Sequence, residues 1–352
     1  MTVTVAPAGE VRRVLICEDC PAYAAGLERL LARDPQIDVV AVCSSAEATI
    51  ARLAQLDPGP HLITMDLQLP GMSGSEAIEQ IMSARPVPIL VLAGGVQHGS
   101  RAALDSLGAG ALEVLGKEAL DLSDPDSMQA RAFRGRVKLL SAVPVLNHPR
   151  ARLRGAEAPG PPGRGPRAAV IGICASVGGP RALAAVLAEI PATFAIPILV
   201  VQHMAPGFTD GFVRWLDGQL PLPVRLAPAG PGGRGIWVAP EGGHLVLDRG
   251  RRLVLDTSED GGLHRPCGDV LLSSIAASAG ADGVAVVLTG MGSDGADGLA
   301  QVGRVGGLTI AQDEASSAVF GMPKAAAEAG AELVLAPAEI GRRLRALRLA
   351  GG

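Results

Sequence analysis

Residues 61–74 read HLITMDLQLPGMSG, and the fold of the first half of the chain turns on them. An unbroken apolar run ends on a carboxylate, Asp66, and a Pro-Gly turn leads into the helical pattern SGSEAIEQIMSA at 73–84. Short continuous apolar runs of this kind suit strands covered on both faces of a parallel sheet. Working outward, RVLICED (13–19), IDVVAVC (37–43), VPILVLA (87–93) and ALEVLG (111–116) have the same character, and AYAAGLERLLAR (22–33) is helical in pattern. Five strand–helix alternations predict right-handed βαβ units and a doubly wound (βα)5 sheet, with a last helix inside SMQARAFRGRVKLLSAV (127–143).

The composition then changes. Residues 147–167, NHPRARLRGAEAPGPPGRGPR, lack periodic apolar positions and read as a solvated interdomain tether. The second half begins at AAVIGICAS (168–176). FAIPILVV, GIWVAP, HLVLD, RLVLD, GVAVVLT, LTIAQ and ELVLAP are strand-like, and HLVLD–RGR–RLVLD (244–256) reads as a β-hairpin. Helices are expected over PRALAAVLAEI, GFVRWLDGQL, DVLLSSIAASA and AEIGRRLRALRL. The prediction is a second three-layer α/β/α domain, its sheet mainly parallel with an antiparallel addition. A length of 352 residues accommodates two such domains.

A formal net charge of −4 and an aromatic content of 2% argue against nucleic-acid binding, which calls for basic patches and stacking surfaces. No apolar run approaches the ~20 residues of a membrane span, and MTVTVAPAGE (1–10) has neither a basic start nor an apolar stretch. Five scattered cysteines form no framework, so a reduced, cytoplasmic setting is expected, without membrane insertion. The lone CEDC at 17–20 has no second half for a zinc site; Cys17 is expected to pack in the first strand and Cys20 to lie in the following loop.

Glu18 and Asp19 close the first strand, Asp66 the third, and Lys117 follows the fifth. Polar groups at the carboxyl ends of a parallel sheet converge on one crevice. Three carboxylates and a lysine there suit a hard cation such as Mg2+ and a phosphoryl group on Asp66. Any one of these carboxylates alone reads as a turn or cap residue. With Asp66 followed by LQLPGMSG and Lys117 closing GALEVLGK, the first half resembles the response-regulator receiver family over 11–122, a flavodoxin-like fold. The resemblance implies phosphorylation of Asp66 by a histidine kinase, Mg2+ held by Asp19, Asp66 and the Gln68 carbonyl, and Glu18 supporting the metal. Three positions depart from the family: Ala93 where Ser or Thr is usual, Val114 where an aromatic residue is common, and Glu118 after the lysine in place of proline.

In the second half, Ser176 stands between a strand and the helical GGPRALAAVL, His203 ends the next strand in VVQHM, and Asp294 lies in LTGMGSDG after a later one. A serine at a helix N-terminus meets free N–H groups and a field that favours developing negative charge. It needs a base within reach, which His203 can supply, and Asp294 can orient the imidazole. Taken singly, Ser176 reads as a helix cap, His203 as a structural histidine and Asp294 as an N-cap. GxSxG is absent, and VIGICASVGG has neither GxGxxG nor a Walker lysine. His61, His98, His148 and His244 lie away from these segments, whereas His264 opens HRPCGDVLL.

IGICASVGGP, VVQHM, HRPCGDVLL, VLTGMGSDGADGL and AQDEASSAVFGMPKAA together resemble the catalytic domain of chemotaxis-type protein-glutamate methylesterases, over 167–348. Residues 123–166 then hold the last receiver helix and the linker. The resemblance implies Ser176 as nucleophile, His203 as general base and acid, Asp294 as orienting carboxylate, and backbone N–H groups near Met291 at the oxyanion. It implies hydrolysis of γ-glutamyl methyl esters on chemoreceptors, with no cofactor for the ester step, a chemotaxis histidine kinase as phosphodonor, and receptor glutamine deamidation left open. Cys174 replaces the glycine of GAS, Val177 a threonine, and Cys267 the serine of HRPS, with Gly268 after it. Two other readings remain at this stage: a phosphorylation-controlled binding module with a degenerate esterase half, and an unrelated carboxylesterase.

Overall fold

The computed structural model describes residues 11–94, 101–143, 167–258 and 264–350, which fall into two compact units, one within 1–152 and the other within 153–352. The expected tether at 147–166, the N-terminal stretch 1–10, and His98 and His148 lie outside the described residues.

The N-terminal unit alternates β1 (Arg12–Cys17), α1 (Pro21–Leu31), β2 (Ile37–Cys43), α2 (Ala46–Gln55), β3 (Leu62–Asp66), α3 (Gly74–Ala84), β4 (Ile89–Ala93), α4 (Arg101–Ala109), β5 (Glu113–Gly116) and α5 (Met128–Leu140). The strands are all parallel, in the order β2-β1-β3-β4-β5. Every residue of β3 and β4 is buried, as their unbroken apolar sequences require. Helix starts follow local chemistry: the Ser73 hydroxyl accepts from the Glu76 N–H and the Glu76 carboxylate accepts from the Ser73 N–H, a capping box that starts α3. The Ser45 and Ser127 hydroxyls cap α2 and α5 by accepting from the Ala48 and Ala130 N–H groups. Chain order reverses between β1 and β3, so the crevice of a doubly wound sheet opens between Glu18–Asp19 and Asp66.

The C-terminal unit runs β6 (Arg167–Ala168), β7 (Val170–Ala175), α6 (Gly179–Leu187), β8 (Ile198–Gln202), α7 (Thr209–Asp217), β9 (Val224–Leu226), β10 (Gly230–Pro231), β11 (Ile236–Val238), β12 (His244–Leu247), β13 (Arg252–Asp256), α8 (Gly268–Ala279), β14 (Gly283–Val287), α9 (Ala296–Arg304), β15 (Leu308–Gln312), α10 (Met322–Glu328), β16 (Leu333–Leu335), α11 (Pro337–Arg345) and β17 (Arg348–Leu349). Seven strands form one parallel sheet, β16-β15-β14-β7-β8-β11-β9. The expected hairpin is present, but β12 and β13 join β10 in a separate antiparallel sheet of three strands. On one face α8 packs against α9, β7 and β12, and Leu271, Leu272 and Ile275 enter the core with Leu299 and Val302 of α9. On the other, α6 packs against α11. The chain enters the sheet at β7, builds outward through β8 and β11, and then returns to add β14, β15 and β16 on the opposite side. The switch point therefore lies between β7 and β14, where Ser176 and Asp294 follow their strands.

Candidate active site

Ser176 is the first residue past β7, and its backbone is pinned on both sides. Its N–H donates to the Thr289 carbonyl at 3.0 Å, and its own carbonyl accepts from Gly179 N–H and Gln202 Nε2, each at 2.8 Å. The pairing of Ala175 with Gln202 brings the next residues, Ser176 and His203, to the same end of adjacent strands. The His203 N–H donates to the Ala175 carbonyl at 2.9 Å. Gly178 then turns the chain into α6 at φ +75°, where an added Cβ would lie 2.5 Å from that of Ala318, so only glycine makes the turn without strain. The Ser176 side chain is half-buried, and among the described residues its hydroxyl makes no hydrogen bond.

His203 and Asp294 meet directly: imidazole Nε2 lies 2.8 Å from Asp294 Oδ2, with the two side chains 11% and 8% exposed. The carboxylate has three further donors. Gly268 N–H reaches Oδ2 at 2.6 Å, Asp269 N–H reaches Oδ1 at 2.9 Å, and the Cys267 thiol reaches Oδ1 at 3.0 Å. Two of these are the first N–H groups of α8, so Asp294 caps a helix distant in sequence while holding the imidazole. Burial pushes the Asp294 carboxyl up, but the bonds from His203, Cys267, Gly268 and Asp269 outweigh it and hold the group well below the usual carboxylate range. Burial raises Asp269, with the nearby Asp294 charge adding to it against the Gly298 N–H. Ligand atoms of Cys267, Asp269 and Asp294 lie within 4.8 Å of one another. Donors and the positive end of α8 are aimed at Asp294, a field that suits a carboxylate and disfavours a bound cation.

One face of the imidazole is stacked on His264, ring centroids 4.3 Å apart and 24° from parallel, so the histidine singled out in HRPCGDVLL does reach the site. Met291 lies in the loop between β14 and α9 and is 43% exposed. Its neighbour Gly290 bridges to Phe320, and a Cβ added there would stand 2.7 Å from Ser176 Cβ and 2.2 Å from Met322 Sδ. The Met291 segment thus runs directly against the serine.

Gln202, Thr289 and Gln312 escaped the reading of the sequence, and Cys267 was noted there only as a departure beside the site. Gln202 Nε2 donates to both the Ser176 and His203 carbonyls at 2.8 Å, tying the two loop starts together from inside the sheet. The Thr289 hydroxyl donates to the Val177 carbonyl, and its N–H donates to buried Gln312. A polar residue closing an otherwise apolar strand, as Gln202 closes ILVVQ and Gln312 closes LTIAQ, was the available signal.

In the N-terminal unit Lys117 Nζ bridges Glu18, at 2.7 Å to Oε2, and Asp66, at 2.8 Å to Oδ2. It also lies 4.4 Å above the centroid of the Tyr23 ring. Burial pushes Glu18 up, only partly offset by Lys117; burial pulls Lys117 down, but hydrogen bonds to Asp66 and Glu18 outweigh it and leave the ammonium above its ordinary value. Asp19 is exposed at the mouth, and oxygens of Glu18, Asp19 and Asp66 lie within 4.8 Å of one another. Gln68 N–H donates to Asp66 Oδ1 at 3.1 Å, which folds the 66–68 turn over the carboxylate. Ala93 pairs with Gly116 at the same sheet edge and Val114 is buried, so a methyl group and an aliphatic side chain occupy two of the three departing positions. All five cysteines are free; Cys17 is buried in β1 and Cys20 is exposed ahead of α1.

Residues 171–344 match the family described as CheB methylesterase, and residues 14–124 match the response regulator receiver domain. A protein-glutamate methylesterase/protein-glutamine glutaminase 3 of Myxococcus xanthus is 42% identical, covering 89% of this chain and 87% of its own. A protein of the same name from Anaeromyxobacter dehalogenans is 41% identical, covering 94% and 98%. The crystal structure of the Thermotoga maritima CheB methylesterase catalytic domain covers 51% of this chain and 97% of its own, at 37% identity and a TM-score of 0.49.

Proposed function

This chain belongs to the CheB methylesterase family, with a response regulator receiver domain ahead of the methylesterase domain, and on that premise we propose that it hydrolyses glutamate γ-methyl esters on chemoreceptors under control of Asp66 phosphorylation. The observation that carries the reading is the 2.8 Å contact between His203 and Asp294 at the sheet's switch point, one strand from Ser176. A degenerate esterase half is disfavoured, because Asp294 holds the imidazole as well as capping α8 and the relatives that match most of the chain are named protein-glutamate methylesterases.

In this reading Ser176 Oγ attacks the ester carbonyl carbon and His203 takes the hydroxyl proton. With Nε2 engaged by Asp294, Nδ1 is the imidazole nitrogen left to take that proton. Asp294 stays ionised and stabilises the imidazolium. The oxyanion forms beside the Met291 segment, whose backbone N–H groups offset its charge, a contribution of about 10²–10³ in turnover for one donor in comparable sites. Collapse of the tetrahedral adduct expels methoxide, which leaves as methanol with the proton from His203. Water, deprotonated by the same imidazole, then attacks the acyl-enzyme and gives glutamate and free Ser176. A receptor glutamine entering the same sequence would lose ammonia in place of methanol, so glutaminase activity needs no further groups.

The receiver pocket fits a hard cation: its candidate ligands are carboxylate oxygens within 4.8 Å, with a lysine set to neutralise added negative charge. Asp19, Asp66 and the Gln68 carbonyl would hold Mg2+, with Glu18 behind them; bound there, the ion offsets repulsion between carboxylate and phosphoryl oxygens. Asp66 accepts the phosphoryl group from a histidine kinase, and Lys117 moves from bridging two carboxylates to pairing with the phosphoryl oxygens. Domain boundaries at 11–122 and 167–348, with the last receiver helix and linker between, are part of the same proposal.

Methanol release from methylated receptor preparations tests it, with wild type, Ser176→Ala and Asp66→Asn compared with and without a small phosphodonor plus Mg2+. Release should vanish in Ser176→Ala, and the donor-stimulated increment should vanish in Asp66→Asn. Release that survives Ser176→Ala would overturn the esterase reading, and full stimulation of Asp66→Asn would overturn the switch.

A further inference from the structure

Cys267 occupies the N-cap position of α8, with extended backbone at φ −116° and ψ 132°, yet its side chain makes no cap bond to its own helix. That task is taken by Asp294, which accepts the Gly268 and Asp269 N–H groups. The thiol points at the same carboxylate, 3.0 Å from Oδ1, the oxygen that His203 does not use. Cys267 is 7% exposed, and its neighbour Gly268 sits so tightly that an added Cβ would lie 2.8 Å from Cys174 Sγ. A thiol is a weak acceptor and a weak donor, and here it is placed to donate to a carboxylate. With the first α8 N–H groups already taken by Asp294, the thiol is left to donate to that carboxylate, a bond that a serine hydroxyl at the same position could also make.

We propose that Cys267 is a positioning residue of the hydrolytic site, its S–H fixing Asp294 Oδ1 so that Oδ2 stays aligned on the imidazole. Burial, and then the neighbouring Asp294 charge, push the thiol up to about 12, so it remains a donor across the working range of a histidine-based hydrolase. The bond also draws charge from the carboxylate. Without it Asp294 is a stronger acceptor, swings on its remaining bonds, and favours the protonated imidazole that cannot act as base.

The inference rests on the Ser176–His203–Asp294 reading, and Ser176→Ala run beside it separates the two: Ser176-independent methanol release sinks the triad itself. With the triad upheld, Cys267→Ala should lower kcat about tenfold, the scale of one hydrogen bond to a charged group, with KM little changed. The acid limb of the kcat profile should move to higher pH by on the order of half a unit. Cys267→Ser, which restores a donor, should recover most of kcat and the original limb. Cys267→Val preserves the volume without the donor and should behave as the alanine variant does; it serves if alanine at this buried site does not fold. A wild-type limb and kcat in the alanine or valine variant overturns the proposal. So does a loss of thermal stability with the limb unmoved, or a serine variant no better than alanine.

Discussion

Replacing Asp294 with asparagine changes one atom and tests four contacts together. Oδ2 accepts from His203 Nε2 and Gly268 N–H, and Oδ1 from Asp269 N–H and the Cys267 thiol. An amide must present its NH2 to one of these pairs. The imidazole can change tautomer and the thiol can rotate, but the backbone N–H of Gly268 or Asp269 cannot turn away. Either orientation leaves one buried backbone donor facing another donor, a cost of about 1–3 kcal/mol. At roughly 2–4 °C per kcal/mol for a domain of 150–250 residues, Tm of the C-terminal unit should fall by about 2–12 °C. Turnover should fall much further. Changing the orienting carboxylate of a serine-hydrolase triad to its amide lowers kcat about 10⁴-fold, about 5.4 kcal/mol of barrier. The stability difference also has a pH signature. The folded-state carboxyl of Asp294 lies below its unfolded value, so its contribution is fully present above about pH 4 and is lost as pH falls toward the depressed value. The Tm gap between wild type and Asp294→Asn should therefore be level from about pH 5 to 8 and narrow below about pH 4. Methanol release and thermal unfolding across that range are the assays. A kcat within tenfold of wild type, or an unchanged Tm at neutral pH, would refute the reasoning.

Gly290→Ala places a Cβ 2.2 Å from Met322 Sδ and 2.7 Å from Ser176 Cβ. Displacing the nucleophile by about 1 Å should cost about 10² in kcat, measured as methanol release with near-ultraviolet circular dichroism to verify packing. Lys117→Met leaves Glu18 and Asp66 without the cation that bridges them; the ratio of donor-stimulated to unstimulated release should drop to about one, and a preserved ratio would show that Lys117 is dispensable. Gln202→Leu removes both bonds from Nε2 to the Ser176 and His203 carbonyls. At least one buried carbonyl is then unpaired, so denaturant unfolding should report a loss of about 1–3 kcal/mol.

Thirteen strands and most helices were legible because their sequences are locally self-consistent. VIGICA, ILVVQ and GVAVV are too apolar to lie anywhere but inside a covered sheet, and HLVLD–RGR–RLVLD has hairpin spacing. The strands that were not read are two or three residues long: β9 in a Pro-flanked Val224–Leu226, β10 at Gly230–Pro231, and the β6–β17 pair. Segments that short have no period to detect, and their extended form comes from the partner strand. For the same reason the hairpin could be foreseen but not its membership of a separate three-stranded sheet.

The sequence by itself determined the two α/β units, the polar groups at their strand ends, and the serine, histidine and aspartate that follow strands of the second unit, because strand–turn–helix chemistry is written over a few consecutive residues. Tertiary structure alone decided how those groups are held. The Asp294 carboxylate draws donors from residues 203 and 267–269, Gln202 joins two loop starts, and Lys117 closes on carboxylates from β1 and β3. Each of these bonds depends on an angle and a distance of about 3 Å between segments far apart in the chain, and such a distance exists only once the sheets have set their strand order and register.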